Sequence, residues 1–216
     1  MVTANAGARR SRERVELAAT ALMAAAAILT AWAAFQAAKW SGVEASLYNR
    51  ATSTRTESAR ATTLASNQTN IDVQTFIAWL TAYREDIAAG RVPADGTYTP
   101  DPALASGFIA NRFRDEFRPA FDAWMTTRPV VNAEAAGTPF ELPEYRLAAR
   151  DEADRLQTEA DALAADARRA NGRGDNYVML TVLFATALFF AGISHRIDGL
   201  RPELAALTAA GVIVIA

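Results

Sequence analysis

The chain alternates between long uncharged stretches and a strongly charged middle, and that alternation predicts its elements. Residues 17–38, LAATALMAAAAILTAWAAFQAA, form 22 positions without a charge. Residues 177–194, YVMLTVLFATALFFAGIS, form 18 more. A helix rises ~1.5 Å per residue, so about 20 apolar residues cross a hydrocarbon layer of ~30 Å. Both stretches therefore predict transmembrane helices. Trp40 beside Lys39 at the end of the first, and Tyr177 at the start of the second, suit the interface between lipid and water. A secretory signal is the alternative for the first stretch, because Ala31-Trp32-Ala33 resembles a cleavage site. Its apolar part exceeds the ~7–15 residues usual for such a signal, which favours an uncleaved anchor.

A third apolar run, 204–216, holds only 13 residues, LAALTAAGVIVIA, too few to span. Pro202 suits the first turn of a helix. The expectation is the start of a third span whose remainder is cut off, with a short re-entrant segment as the alternative.

Between the two complete spans, no proline occurs from Trp40 to Ala89, which predicts one long outgoing helix. Gly90, Pro93, Gly96, Pro100 and Pro102 then form a breaker cluster. A middle helix is expected over about 103–125, with Pro119 kinking or splitting it. A loop over 126–142 follows, and Pro143 is the expected first residue of a return helix running unbroken into the second span.

The return helix carries a seam of Ala149, Ala153, Leu156, Ala160, Leu163, Ala167, Ala170, Gly174 and Tyr177, in steps of four and three. None is charged, although 14 of the 35 residues from 143 to 177 are. Leu47, Ala51, Thr54, Ser58, Ala61, Ala65 and Gln68 give the outgoing helix a matching stripe. Such spacing holds a narrow face against a partner helix, as in a coiled coil. With Trp40 placed opposite Tyr177, Pro143 falls opposite about Val73, and the outgoing helix overshoots by about 16 residues, or ~24 Å. The overshoot carries Phe76, Trp79, Leu80, Tyr83 and Ile87; the middle helix carries Ile109, Phe113, Phe117, Phe121 and Trp124. These faces are expected to bury each other as a small head on a two-helix stalk. A docking surface for a protein or for lipid headgroups is the other use of such a stripe.

The expected architecture is thus all-α: a basic N-terminus (1–16), a first span (17–38), a helical hairpin with its head at about 73–127 (39–176), a second span (177–194), a loop (195–203) and the start of a third span (204–216). Arg9, Arg10, Arg12 and Arg14 precede the first span, while His195, Arg196 and Arg201 follow the second. These place both flanks in the cytoplasm and residues 39–176 outside it. Lys39, Arg50, Arg55, Arg168, Arg169 and Arg173 sit at the opposite ends and weaken the asymmetry.

Chemistry is sparse. There is no cysteine, which excludes disulfides, thiolate metal sites and cysteine nucleophiles. The single histidine, His195, excludes a multi-histidine metal centre and falls at a span end. A net charge of −2 gives no reason to expect nucleic acid. The spans hold no ionisable residue, and Gln36 is the most polar side chain in the first; ion and proton pathways usually require such groups. Asp115-Glu116, Glu141 with Glu144, and Asp151-Glu152 with Asp154 are acidic pairs, but arginines surround each, as on solvated helix faces. Gly172-Arg173-Gly174 follows no strand and is no phosphate loop. Asn67-Gln68-Thr69 matches a glycosylation sequon. No catalytic, cofactor-binding or metal-binding residue is expected.

AAFQAAKWSGVEASLYNRA (33–51), PEYRLAARDEAD (143–154) and DNYVMLTVLFATALFFAGIS (175–194) resemble a group of uncharacterised bacterial membrane proteins of unknown function. The resemblance implies one span, a helical insertion and a closing pair of spans in the bacterial inner membrane, with no activity or cofactor attached. The resulting expectation is a non-enzymatic accessory protein whose partners are the bilayer and another membrane protein, or itself. A homo-oligomeric pore is the second expectation, since Ala27, Ala31, Ala34 and Ala38 offer a small-residue face. A hydrolase using Asp115 and Glu116 is the third.

Overall fold

The computed structural model describes residues 2–194 and 200–215, with side chains described over 13–194 and 204–214. Among the described residues every regular element is helical: α1 (Val2–Ala88), α2 (Ala105–Ala110), α3 (Arg118–Thr126), a 3-10 turn (Pro139–Glu141), α4 (Ala148–Ser194) and α5 (Leu200–Ile215). His195 lies outside the described residues, and nothing is described of the Arg9, Arg10, Arg12, Arg196 and Arg201 side chains.

The chain divides into two compact units, one made of Met1–Ala51 with Asp161–Ala216, the other of Thr52–Ala160. The first is built on alanine. Ala19, Ala26 and Ala33 recur every seventh residue along α1 and are buried. Ala26 packs with Ala187 and Ala191 of α4 and Ala210 of α5, ringed by Leu22, Met23, Leu188 and Ile213. Side chains this small let helix backbones approach closely. The apolar stretches of α1 and α4 are long enough to cross a membrane, and only 17% and 22% of them, respectively, is buried. Ile28, Phe35, Val182 and Phe189 are among the large side chains turned outward. Ala27, Ala31, Ala34 and Ala38 are also exposed, because the buried face is that of Ala26 and Ala33.

Two aromatic residues meet across this unit, though not in the pairing expected. Tyr177 packs edge-on to Trp32, with ring centroids 5.6 Å apart. Trp40 instead lies beside Gly174, where an added Cβ would come within 3.6 Å of the Trp40 Cβ. Trp40 is a little over two turns beyond Trp32, so Tyr177 is too far along to face it.

The second unit is the head with the adjoining helix pair. Here α1 ends as its sequence dictates. Gly90 takes φ +68°, its N–H donates to Ile87 O, and Arg91 N–H donates to Asp86 O at 2.8 Å. That is a Schellman ending, in which a left-handed residue satisfies the last carbonyls.

The middle stretch is not one helix. It is two short helices, α2 and α3, separated by residues 111–117, so the break precedes Pro119. Pro119 occupies the first turn of α3, where a missing N–H costs nothing. The return helix also begins later than Pro143, at Ala148. Tyr145 N–H closes a turn onto Leu142 O, and Leu147 O accepts from Arg150 and Asp151 as the first helical carbonyl. With no capping side chain of its own at Leu147, the helix draws a cap from elsewhere: Glu116 Oε1 accepts the Ala148 N–H at 3.1 Å.

Candidate functional site

Two sets of residues were singled out above, and the structure places each. On α1, Ser58 and Ala65 are buried and Ala61 partly so; on α4, Ala153, Leu156 and Ala160 are buried and Ala149 partly so. Ser58 Oγ donates to the Ala153 carbonyl at 2.9 Å, a buried bond that ties one helix to the other. In the first unit Ala51, Ala167 and Ala170 are buried, and Leu47 and Leu163 are half-buried.

The head aromatics form one cluster: Phe76, Trp79, Tyr83, Phe113, Phe117, Phe121 and Trp124 are all buried, with Ala110. Trp79 stacks on Tyr83 at 4.9 Å and meets Phe121 edge-on at 4.7 Å. Phe117 stacks on Phe140 at 5.1 Å, and Phe76 meets Trp124 edge-on at 5.3 Å. Such pairs add ~0.5–1.5 kcal/mol each beyond burial. Both indole N–H groups are satisfied: Trp79 Nε1 donates to Tyr98 Oη at 3.1 Å and Trp124 Nε1 to Ala136 O at 2.7 Å. Tyr98 and Tyr145 from loops and Phe140 from the 3-10 turn pack against the cluster and had not been anticipated.

Two fully buried carboxylates were also missed. Asp72 Oδ2 accepts from Arg114 at 2.8 Å and from the Tyr145 hydroxyl at 3.1 Å. Arg114 also binds Glu116, which caps α4. One chain of polar contacts thus joins α1, the 111–117 segment and the start of α4. Asp72 Oδ1 and Gln68 Oε1, one turn apart, have no hydrogen-bond partner. Burial pushes the Asp72 carboxyl up despite Arg114, and burial likewise pushes up the Tyr145 hydroxyl. Asp86 behaves oppositely. The Ser106 side chain above all outweighs burial and holds its carboxyl down; Arg91, 2.8 Å away, and the Ser106 N–H, 3.3 Å from Oδ2, add to this.

No protein-family model, curated protein or solved structure matches the chain. Chemistry must therefore be read from the side chains alone. The acidic pairs do not converge: Glu116 serves Arg114 and α4, Glu152 pairs with Arg155, and Asp151 lies 3.7 Å from Arg146. Among the described residues no three acidic or histidine side chains come together as a metal site. Grooves lie on the second unit. One of about 370 Å³ runs past Thr69, Phe140, Tyr145 and Arg150, and one of about 300 Å³ lies by Tyr98, Asp122, Met125 and Arg128.

Proposed function

We propose that the chain is a membrane-anchored accessory protein that binds a partner protein through its helical stalk or head, and that it performs no catalysis. One observation carries this reading: large apolar side chains point outward on both units. On the first they are Ile28, Phe35, Val182 and Phe189, along helices of membrane-crossing length. A water-soluble protein buries such side chains, whereas lipid solvates them. On the second they are Leu64, Ile71, Ile77, Phe108 and Val131. These lie outside the aromatic core. On this reading they are the positions against which a partner protein would pack. In this placement residues 39–176 project outside the cytoplasm of a bacterial cell.

The test is purification in mild detergent after crosslinking in intact cells. The expected result is a partner in fixed ratio, whose crosslinks map to Leu64–Ile77 or Phe108 and are lost in Ile71→Asp and Phe108→Asp. A chain that crosslinks to nothing would overturn partner binding. The exposed Ala27, Ala31, Ala34 and Ala38 favour a second reading, a homo-oligomer packed through that face. Crosslinks between copies, with mass multiples that vanish in Ala31→Leu, would select it.

A further inference from the structure

Helix α1 carries a second seam, turned away from the one that α4 and the head cover. Leu64, Asn67, Ile71, Gln74, Ala78 and Thr81 follow one another in steps of three and four, and all six are exposed, Leu64 to 52% and Ile71 to 51%. Such steps keep them on one narrow stripe of the helix for ~26 Å. Across the same helix Ala65, Asp72, Phe76, Trp79 and Tyr83 are buried. From Ala61 to Tyr83 the only charged residue is that buried Asp72, so the exposed surface of this stretch carries no charge. Exposed positions of α4 in the same unit carry Arg150, Glu152, Asp154, Arg155 and Glu159 instead. A face kept for water resembles α4; depletion of charge is what the centre of a protein interface shows.

The chemistry of the seam suits its own copy. On the membrane placement proposed above, two chains leave the bilayer through the same stretch of α1 and in the same direction. Their α1 helices then run parallel, and each seam residue meets the same residue of the other chain. A charge at such a position would face its like. Asn67 and Gln74 each offer an amide donor and an acceptor, so each can pair with itself and fix the register. Charge returns where the pattern stops being compatible with self-pairing. The next positions in the same steps are Glu57 and Arg60 before Leu64, and Glu85 after Thr81, all exposed. Three heptads make a weak pair in solution, but confinement to one membrane raises the effective concentration of one seam for another.

We infer that residues 64–81 of α1 form a parallel, in-register helix pair with a second copy of this chain, Asn67 and Gln74 each pairing with their own counterpart. The inference rests on the partner-binding reading proposed above, and it names that partner and the face it takes.

The chain has no cysteine of its own, so single cysteines report the contact. The experiment uses the full chain in membranes, with Gln74→Cys on the seam or Ser66→Cys, exposed but off it, oxidised by copper phenanthroline. A disulfide-linked dimer is expected from Gln74→Cys and none from Ser66→Cys. The dimer should be lost when Gln74→Cys also carries Ile71→Asp or Ile71→Lys, since each new charge meets itself. It should return when those two chains are made together, which also shows that both still fold. Equal dimers from Gln74→Cys and Ser66→Cys would be chance collisions and overturn the seam. So does a dimer that persists with Ile71→Asp, or a mixed pair that fails to form. A benzophenone amino acid in place of Gln74 or Phe108, photolysed in intact cells, separates this inference from the reading beneath it. Capture of a different protein at 74 overturns the second copy and leaves partner binding standing. Capture at 108 with none at 74 overturns the seam alone. No capture at either position overturns partner binding itself.

Discussion

The two units of this molecule bury different kinds of side chain. In the head, the large rings of Trp79 and Phe117 are completely buried. In the other unit the buried residues are mostly alanines, joined by Phe184 and Ser194, while Phe35 and Phe189 are exposed to 60% and 63%. One sequence therefore contains two solutions to helix packing. The head is held by the burial of large rings. The alanine unit gains almost nothing from burying side chains of that size, so its helices are held by close approach of backbones. On the membrane placement proposed above, lipid would cover its exposed hydrocarbon. The contrast teaches that a single count of apolar residues says little here; which way they face decides what each unit needs around it.

Substitutions can break that contrast from either side. The largest effect is expected from Trp79→Ala, at about 3–5 kcal/mol for a fully buried ring. Near-ultraviolet circular dichroism during thermal unfolding in detergent should show the head melting early. Phe189→Ala, by comparison, removes a ring of similar size and should shift no transition by more than about 0.5 kcal/mol.

Arg114→Leu comes next. It strands the buried Asp72 and removes the charge that holds Glu116 beside the first N–H of α4. The expected loss is about 3 kcal/mol, as for the breaking of a buried pair from one side. Asp72→Leu added to it should recover part of that loss; failure to recover any would mean that Arg114 acts through Glu116 alone. In the alanine contacts the danger is excess rather than loss of volume. Ala160→Leu and Ala191→Leu should each cost about 1–3 kcal/mol by forcing the helices apart.

The buried aspartates give a finer separation within the head. Asp72 has its carboxyl raised by burial, so its contribution favours the folded state below the unfolded carboxylate value and is lost as pH rises through the raised value. Asp86 has its carboxyl lowered by Ser106, so its contribution is present above the unfolded value and is lost as pH falls through the lowered one. The stability difference between the wild-type chain and Asp72→Asn should therefore grow in favour of wild type as pH falls from 7 to about 4. The same difference for Asp86→Asn should stay flat over that range and shrink only below it. Chemical denaturation across pH reads both. The smallest effect is expected at Arg128, which adopts φ +53° just after α3. Arg128→Gly should raise stability by about 0.5–1 kcal/mol, because a left-handed residue at a helix end is least strained as glycine.

The long helices were legible because their charges avoid one stripe, in steps of three and four, for many turns. That stripe runs on past Ala65 through Gln68, Asp72, Phe76, Trp79, Tyr83 and Asp86, all sheltered from solvent. Two acids on an otherwise uncharged stripe were the signal for a buried polar pair, and periodicity alone could have given them. Arg114 could not be found that way, since its partner lies 42 residues earlier and a loop delivers it. The aromatic spacing from Phe113 to Trp124 suited a single helix, yet a turn and a short helix present the same rings to the same centre. Tyr98, Phe140 and Tyr145 come from glycine- and proline-rich segments with no period to read. The late start of α4 was likewise hidden, because its cap is supplied by Glu116 rather than by a residue next to it.

The account depends most on the outward-facing apolar helices lying in lipid, and the absence of cysteine makes that directly measurable. Single cysteines would be placed at Ile28, Val182 and Glu85 and exposed, in intact cells, to a maleimide that does not cross membranes. The account predicts rapid labelling of Glu85→Cys, and labelling of Ile28→Cys and Val182→Cys only after the protein is denatured in detergent. Labelling of all three at the same rate in sealed cells or vesicles would contradict it.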